Sequence, residues 1–125
     1  MNRLETVTLF VKDLERSKTF YELSFAASSV YEDEVSWVFM LDNLMINLLQ
    51  FTEASELIEP LQARSASIGP QMLLTIRVND VDKSCLELRQ KGVSLLNGPL
   101  DRPWGRRTAA FADPDGYVWE LANEL

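Results

Sequence analysis

Hydrophobic and polar residues alternate in two short stretches of the chain that lie 67 residues apart. The segments 6–17 and 73–84 have identical residues at four aligned positions, among them Asp13 and Asp80. Alternation with a period of two predicts a strand, and a short carboxylate after it can accept the free N–H groups at the start of a helix. The recurrence of this order predicts two related halves, each opening with a strand and a helix.

The helix of the second half has the clearer pattern. Val81, Cys85 and Leu88 recur at helical spacing, and Gly92 follows as a C-terminal stop. Cys85 is therefore expected to be an inert buried thiol. In the first half, the helix is predicted to turn its apolar side chains inward, namely Leu14, Phe20, Tyr21 and Leu23.

Three strands are predicted after each helix, so that each half has the order β-α-β-β-β. They are expected near 27–32, 35–42 and 44–51 in the first half, and near 94–98, 106–112 and 117–123 in the second. The run Asp113–Gly116 predicts a tight turn, because proline presets the second turn position and glycine tolerates positive φ. We predict one domain with module one at 1–52, a linker at 53–70 with a helical turn near 56–61, and module two at 71–125.

The composition is that of a globular domain with an acidic surface. The 125 residues are 46% hydrophobic, and the formal net charge is -7. An acidic balance disfavours binding to nucleic acid and to anionic membranes. No stretch approaches the ~20 apolar residues of a membrane span, and the N-terminus lacks the apolar core of a signal peptide. Since the single cysteine also excludes an intrachain disulfide, we expect a cytoplasmic protein without nucleic-acid or membrane partners.

The two modules each open on a run of the form L-x-V-x-D or I-x-V-x-D, at 9–13 and 76–80. Together with the ending at 111–121 and the run Trp104–Arg107, they resemble the vicinal-oxygen-chelate superfamily of glyoxalases, bleomycin-resistance proteins and extradiol dioxygenases. The likeness covers essentially the whole chain apart from the linker. It implies an α+β fold in which two βαβββ modules form curled mixed sheets around a cavity, and it implies a homodimer.

In enzymes of that superfamily, four inward positions on the first and fourth strands of the modules hold a divalent metal. The resemblance carries these positions onto Thr6, Asn47, Leu73 and Glu120. Only Glu120 is a good ligand, and the chain contains no histidine, which excludes an iron site of two histidines and one carboxylate. It also excludes a Ser-His-Asp device. We therefore predict no metal, no cofactor and no assigned catalytic residue.

Strand alternation identifies the side chains that share a face with these four positions. The opposite faces, at 7, 9, 11 and at 74, 76, 78, are aliphatic and are expected to pack on the helices. Apolar walls with a few polar groups suit a small-molecule site. The predicted ligand-binding residues are Thr8, Phe10, Trp37, Asn47, Thr75, Arg77, Glu120 and, at the mouth of the cavity, Trp104.

Glu120 has two interpretations at this stage. It is either one half of an ion pair with an arginine, or the anchor of a ligand, because a buried carboxylate without a partner is costly. The candidate partners are Arg77, Arg106 and Arg107.

Three hypotheses follow for the function. The first is a metal-independent protein that binds an antibiotic or a metabolite, with an aromatic or cationic ligand. The second is a glyoxalase-like lyase, isomerase or dioxygenase-related enzyme that uses an oxygen-ligand metal site or Glu120 as general base. The third is a regulatory or purely structural dimer with a filled cavity. We expect the first, binding rather than catalysis.

Overall fold

The computed structural model describes residues 1–63 and 72–125. The chain divides into two compact units, Met1–Ser65 and Ala66–Leu125, and each contains one of the predicted modules. The first module consists of β1 (Thr6–Val11), α1 (Leu14–Ser24), β2 (Ser29–Glu32), β3 (Ser36–Met40) and β4 (Met45–Gln50). The second consists of β5 (Leu73–Arg77), α3 (Val81–Gln90), β6 (Leu95–Arg102), β7 (Arg106–Ala112) and β8 (Val118–Glu124).

The predicted linker begins with a short helical segment. A 3-10 turn at Phe51–Glu53 leads into α2 (Ala54–Ile58), which starts a little earlier than the turn predicted near 56–61. The part of the predicted linker at 64–70 and the first residue of predicted module two lie outside the described residues. No helix within 1–63 or 72–125 has the length and apolar character needed to cross a bilayer.

Both sheets have the same mixed topology. The strand orders are β1-β4-β3-β2 and β5-β8-β7-β6, with the first and last strands of each module parallel and the other pairs antiparallel. The predicted α+β class and β-α-β-β-β order are confirmed. In each module the last strand lies beside the first. The side chains of these two strands form the candidate site.

Each long helix starts in the same way. Asp13 and Asp80 are the N-caps, and their Oδ1 atoms accept hydrogen bonds from the backbone N–H groups three residues on, at 3.2 and 3.1 Å. The first backbone N–H of α1, that of Leu14, donates to Oε1 of Gln50 at 3.2 Å. The first backbone N–H of α3, that of Val81, donates to Oδ1 of Asn123 at 2.8 Å. Gln50 and Asn123 are both the sixth residue of the last strand of their module, so the same cap is built twice.

The core of module one lies between α1 and the sheet. Tyr21 is fully buried, and its ring lies 5.2 Å from that of Phe39, which in turn lies 5.7 Å from that of Trp37. The prediction that Leu23 faces inward is wrong, because it is 48% exposed. The helix instead buries Leu14, Ser17 and Tyr21, so a small serine occupies the middle of its inward stripe.

The core of module two follows its predicted helix pattern. Val81, Cys85 and Leu88 are buried against the sheet side that carries Phe111 and Trp119. Burial raises the pKa of the Cys85 thiol, which therefore stays protonated and unreactive.

The predicted turn before β8 is also present. Asp113 Oδ1 accepts hydrogen bonds from the backbone N–H groups of Asp115 and Tyr117, at 2.9 and 2.8 Å. Gly116 adopts a φ of 86°, in the left-handed region that glycine tolerates. The carboxylate and the glycine together fix the β7–β8 hairpin.

Strand β6 is longer and less regular than predicted. The alternation breaks twice in its pairing with β7, between Leu95 and Asn97 and between Asn97 and Leu100. Gly98 lies in the second irregularity with a φ of 83°, and a Cβ there would lie 2.5 Å from the carbonyl oxygen of Thr108. The backbones approach so closely at this point that only glycine fits.

We expect the helix cap from the last strand to contribute measurably to stability. Asn123→Ala leaves the N–H of Val81 without its acceptor and is expected to reduce the free energy of unfolding by about 1–2 kcal/mol. Asn123→Asp, which keeps an acceptor oxygen, is expected to lose less. Urea unfolding followed by circular dichroism measures both. Gln90→Ala, which removes an exposed amide from α3, is the control, and an equal loss there would contradict the capping role.

The ion pair between α3 and β7 is expected to lose its contribution to stability at acid pH. Arg107 donates to both carboxylate oxygens of Asp82, at 2.7 and 2.9 Å, and to Asp101 at 2.9 Å. Hydrogen bonding to Arg107 lowers the pKa of Asp82. The pair therefore stabilises the fold above the unfolded pKa of about 3.9, and the contribution is lost as the pH falls through the lower folded value.

The comparison of wild type with Asp82→Asn tests this dependence. The variant is expected to have a lower urea midpoint at neutral pH and the same midpoint once the pH lies below the folded pKa of Asp82. Asp42→Asn, at an exposed turn position, is the matched control. A difference between Asp82→Asn and wild type that persists unchanged into strong acid would show that the ion pair is not its cause.

Candidate functional site

One face of each sheet points away from the helix of its module, and we call it the open face. In both modules the third residues of the first and last strands are Cα partners on this face: Thr8 with Asn47, and Thr75 with Glu120. A threonine therefore stands beside an amide in module one and beside a carboxylate in module two. The two modules present related but chemically different sites.

The carboxylate of module two has a hydroxyl partner. Thr75 Oγ1 donates a hydrogen bond to Glu120 Oε1 at 3.1 Å, and Glu120 is partly buried while Thr75 is exposed. Of the two interpretations of Glu120, the ion pair with an arginine is not found. Within the described ranges no cationic group lies within ion-pair distance of Glu120.

The three candidate arginines bind other carboxylates. Arg77 and Arg106 both approach Oε1 of Glu124, at 3.6 and 3.0 Å. Arg107 projects to the helix side of the sheet and pairs with Asp82. Arg77 does lie on the open face as predicted, but its side chain is 72% exposed and points toward the end of the sheet.

The polar group of module one is left without a hydrogen bond. Asn47 Oδ1 is buried and accepts no hydrogen bond from any described residue. Thr8 and Phe10 share the open face with it, since Phe10 is the Cα partner of Leu49. A buried carbonyl oxygen without a donor costs about 1–3 kcal/mol, and a ligand donor on this face would recover that cost.

Trp37 does not belong to the open face. It is the Cα partner of Leu48 and is 2% exposed, on the side of the sheet that packs against α1. The register of β3 differs from that prediction: Val38 is opposite Asn47 on the open face, so its neighbours in the strand, Trp37 among them, point to the helix.

Trp104 lies in the turn between β6 and β7 and is 66% exposed. The Arg102 guanidinium carbon lies 5.8 Å from the centre of the Trp104 ring, and its Nε donates to Thr108 Oγ1 at 2.9 Å. Thr108 shares the open face with Glu120, because Ala110, two residues on, is the Cα partner of Glu120. Arg102 thereby connects the loop tryptophan to the open face of module two.

Arg102 was not among the residues predicted from the sequence. The strand predicted there ends near 98, whereas β6 continues through two irregularities to Arg102 and places it opposite Arg106 on the open face. The glycine and proline at 98–99 were the available signal, since glycine inside a strand pattern indicates a bulge.

The structure thus groups the predicted site residues by module. Thr8, Phe10 and Asn47 share the open face of module one, and Thr75, Arg77 and Glu120 share that of module two, next to the Trp104 turn. A single cavity lined by both sets stays a prediction.

The donor set does not fit a divalent metal. Asn47 and Glu120 are paired with Thr8 and Thr75, whereas Thr6 and Leu73 are opposite Met45 and Val118. Each open face therefore supplies a hydroxyl with either one amide or one carboxylate at its centre. Among the described residues no group of three or more His, Cys, Asp or Glu side chains could hold a metal ion. One carboxylate with neutral oxygens is a weak site even for magnesium.

Comparisons with known proteins agree with this architecture. The model of the Glyoxalase/Bleomycin resistance protein/Dioxygenase superfamily matches residues 3–121. The protein YraH of Bacillus subtilis (strain 168) is 33% identical over 128 residues, which cover 98% of this chain and 99% of YraH.

Two solved structures share the fold. A glyoxalase/bleomycin resistance protein/dioxygenase from Nocardioides superposes with a TM-score of 0.88 at 22% identity, covering 100% of this chain and 85% of that one. TnmS3, an antibiotic binding protein from Streptomyces sp. CB03234, superposes with a TM-score of 0.74 at 24% identity, covering 100% of this chain and 98% of that one. With a family match over nearly its full length and a relative at 33% identity, the chain belongs to the glyoxalase/bleomycin resistance protein/dioxygenase superfamily.

Proposed function

We propose that this protein binds a small organic molecule on the open faces of its sheets, without a metal ion and without catalysis. The observation that carries the proposal is Glu120. Its carboxylate is partly buried, receives one hydrogen bond from Thr75, and has no cationic partner among the described residues. A partly buried carboxylate is stabilised by a cationic group, and a charged donor from a ligand would supply a strong hydrogen bond.

The surroundings of Glu120 favour a ligand over a further protein side chain. Thr75 and Leu73 beside it on the open face are exposed, and Leu73 has 53% of its surface accessible. An apolar wall next to a hydroxyl and a carboxylate is the composition expected of a small-molecule site. The net charge of -7 would also attract a cationic ligand.

The antibiotic-binding neighbour supports binding as the class of function. TnmS3, an antibiotic binding protein, has the same fold over 98% of its length. At 24% identity this likeness carries the fold alone, so the choice of an antibiotic or a metabolite as ligand is our inference. An exposed tryptophan at Trp104 adds an aromatic surface that such molecules can stack against.

We also propose that the protein forms a homodimer, because large apolar side chains are exposed away from the open faces, such as Leu86 on α3, and a second copy can cover them. Light scattering at high micromolar concentration is expected to give twice the chain mass of 14.3 kDa. A monomer mass across that concentration range would contradict this proposal.

A cognate ligand is expected to raise the melting temperature in a thermal-shift screen of antibiotics and cationic metabolites, because binding stabilises the folded state by mass action. Glu120→Gln is expected to weaken a cationic hit about tenfold, which is about 1.4 kcal/mol, while leaving the melting temperature of the free protein nearly unchanged. Glu87→Gln removes the same charge from an exposed position on α3 and is expected to have little effect.

Two further readouts make the test specific. Trp37 and Trp119 are buried and Trp104 is exposed, so ligand-dependent protection from acrylamide quenching reports on Trp104 and is lost in Trp104→Phe. Treatment with EDTA is expected to leave binding unchanged. A hit that requires a divalent metal, or that is indifferent to Glu120→Gln, would refute the proposed mode of binding.

A further inference from the structure

Three arginines and one glutamate lie near each other at the far end of the module-two open face. Glu124, Arg106 and Arg102 are consecutive Cα partners across β8, β7 and β6. Arg77 and Arg106 share the carboxylate of Glu124, at 3.6 and 3.0 Å. This row therefore carries an excess of positive charge on a protein whose net charge is -7.

Arg102 is held only by neutral groups. Its Nε donates to Thr108 Oγ1 at 2.9 Å, its Nη2 lies 3.4 Å from Asn97 Oδ1, and its face lies over Trp104. No carboxylate of the described residues lies within ion-pair distance of it. Like charges directly opposite each other on neighbouring strands are destabilising, so the pairing of Arg102 with Arg106 is a cost that an anion would remove.

The side chain of Arg102 is also fixed in place. Thr108 is 1% exposed, so the bond from Nε is made to a buried hydroxyl, and the indole of Trp104 limits the guanidinium on one face. A guanidinium with a fixed plane loses little entropy when it binds a carboxylate or phosphate through its remaining N–H groups. The arrangement is that of a prepared oxyanion site.

The distance between Arg102 and Glu120 limits the kind of ligand that can bind both side chains. Thr108 lies two residues along β7 from Ala110, the strand partner of Glu120. With about 3.4 Å per residue and 4.8 Å between strands, the Cα atoms of Thr108 and Glu120 are on the order of 8 Å apart. The Arg102 guanidinium reaches Thr108 from β6, and the Glu120 carboxylate bonds Thr75 on β5, so the two charges are farther apart than this. Opposite charges thus face the same side of one sheet at a spacing larger than that between the charges of an α-amino acid.

We propose that Arg102 and Arg106 form the oxyanion-binding end of the site whose cation-binding end is Glu120, so that the preferred ligand is an extended zwitterion. Such a molecule carries an ammonium or guanidinium group at one end and a carboxylate or phosphate at the other, joined by a chain of several atoms. This inference rests on the proposed function, because it names the ligand class of the same site.

The test uses defined probes on the full-length protein labelled with nitrogen-15. Backbone amide shifts are followed by NMR during titration with ε-aminocaproate and with aminohexyl phosphate, which separate a carboxylate from a phosphate as the anion. Glycine is the short zwitterion, and hexylamine and hexanoate each carry one of the two charges. We expect either extended zwitterion to bind about tenfold more tightly than the single-charge probes, with shifts at both Thr75 and Thr108.

Variants assign the anionic end. Arg102→Met and Arg106→Met are each expected to weaken the extended zwitterion about tenfold and to leave hexylamine unchanged. Arg16→Met makes the same change in net charge from an exposed position on α1 and is expected to change affinity less than twofold. Well-dispersed spectra of the free variants establish that they are folded.

The outcomes separate this inference from the proposed function. If hexylamine binds as tightly as the zwitterions and both arginine variants are without effect, the oxyanion site is refuted while binding at Glu120 stands. If no extended zwitterion shifts these amides, the inference is overturned, and the ligand screen decides the proposed function by itself.

Discussion

In each module one hydrogen bond ties the helix to the last strand, from the first N–H of the helix to a side-chain amide oxygen on that strand. Gln50 and Asn123 make this bond to Leu14 and Val81. The helix follows the first strand in sequence, so a bond from its first turn to the last strand fixes those two strands side by side. Parallel neighbouring strands have no hairpin to set their register. A register shift of one residue would move every side chain of the strand to the opposite face of the sheet. The cap thus helps to keep Glu120 opposite Thr75 on the open face.

Most of the architecture could be predicted because local sequence patterns specify it. Alternating strands, the caps at Asp13 and Asp80 and the turn at Asp113 each depend on a few neighbouring residues. The amide caps could not be predicted, since Gln50 and Asn123 lie 36 and 42 residues from their partners. The sequence repeat does not reveal them either, because the number of residues between the start of the helix and the last strand differs between the two modules.

The site was predictable only as far as strand alternation held. It held for β1, β4, β5 and β8, so Thr8, Asn47, Thr75 and Glu120 lie on the expected face. The prediction did not extend to Trp37, which the register of β3 places in the core, or to Arg102, which lies beyond the predicted end of the sixth strand. The ion pair considered for Glu120 does not form, because cross-strand pairing places Glu124 directly opposite Arg106.

The irregular course of β6 has a consequence for the electrostatics of the open face. Asp101 and Arg102 are adjacent, so one of them must face the helix and the other the open side. Strand β6 has two extra residues relative to β7, one between Leu95 and Asn97 and one between Asn97 and Leu100. Each reverses the alternation, and together they restore it, so that Arg102 faces the open side. Loss of the kink at Gly98 alone would exchange Asp101 and Arg102, and would turn a cationic rim into an anionic one without altering a single ionisable residue.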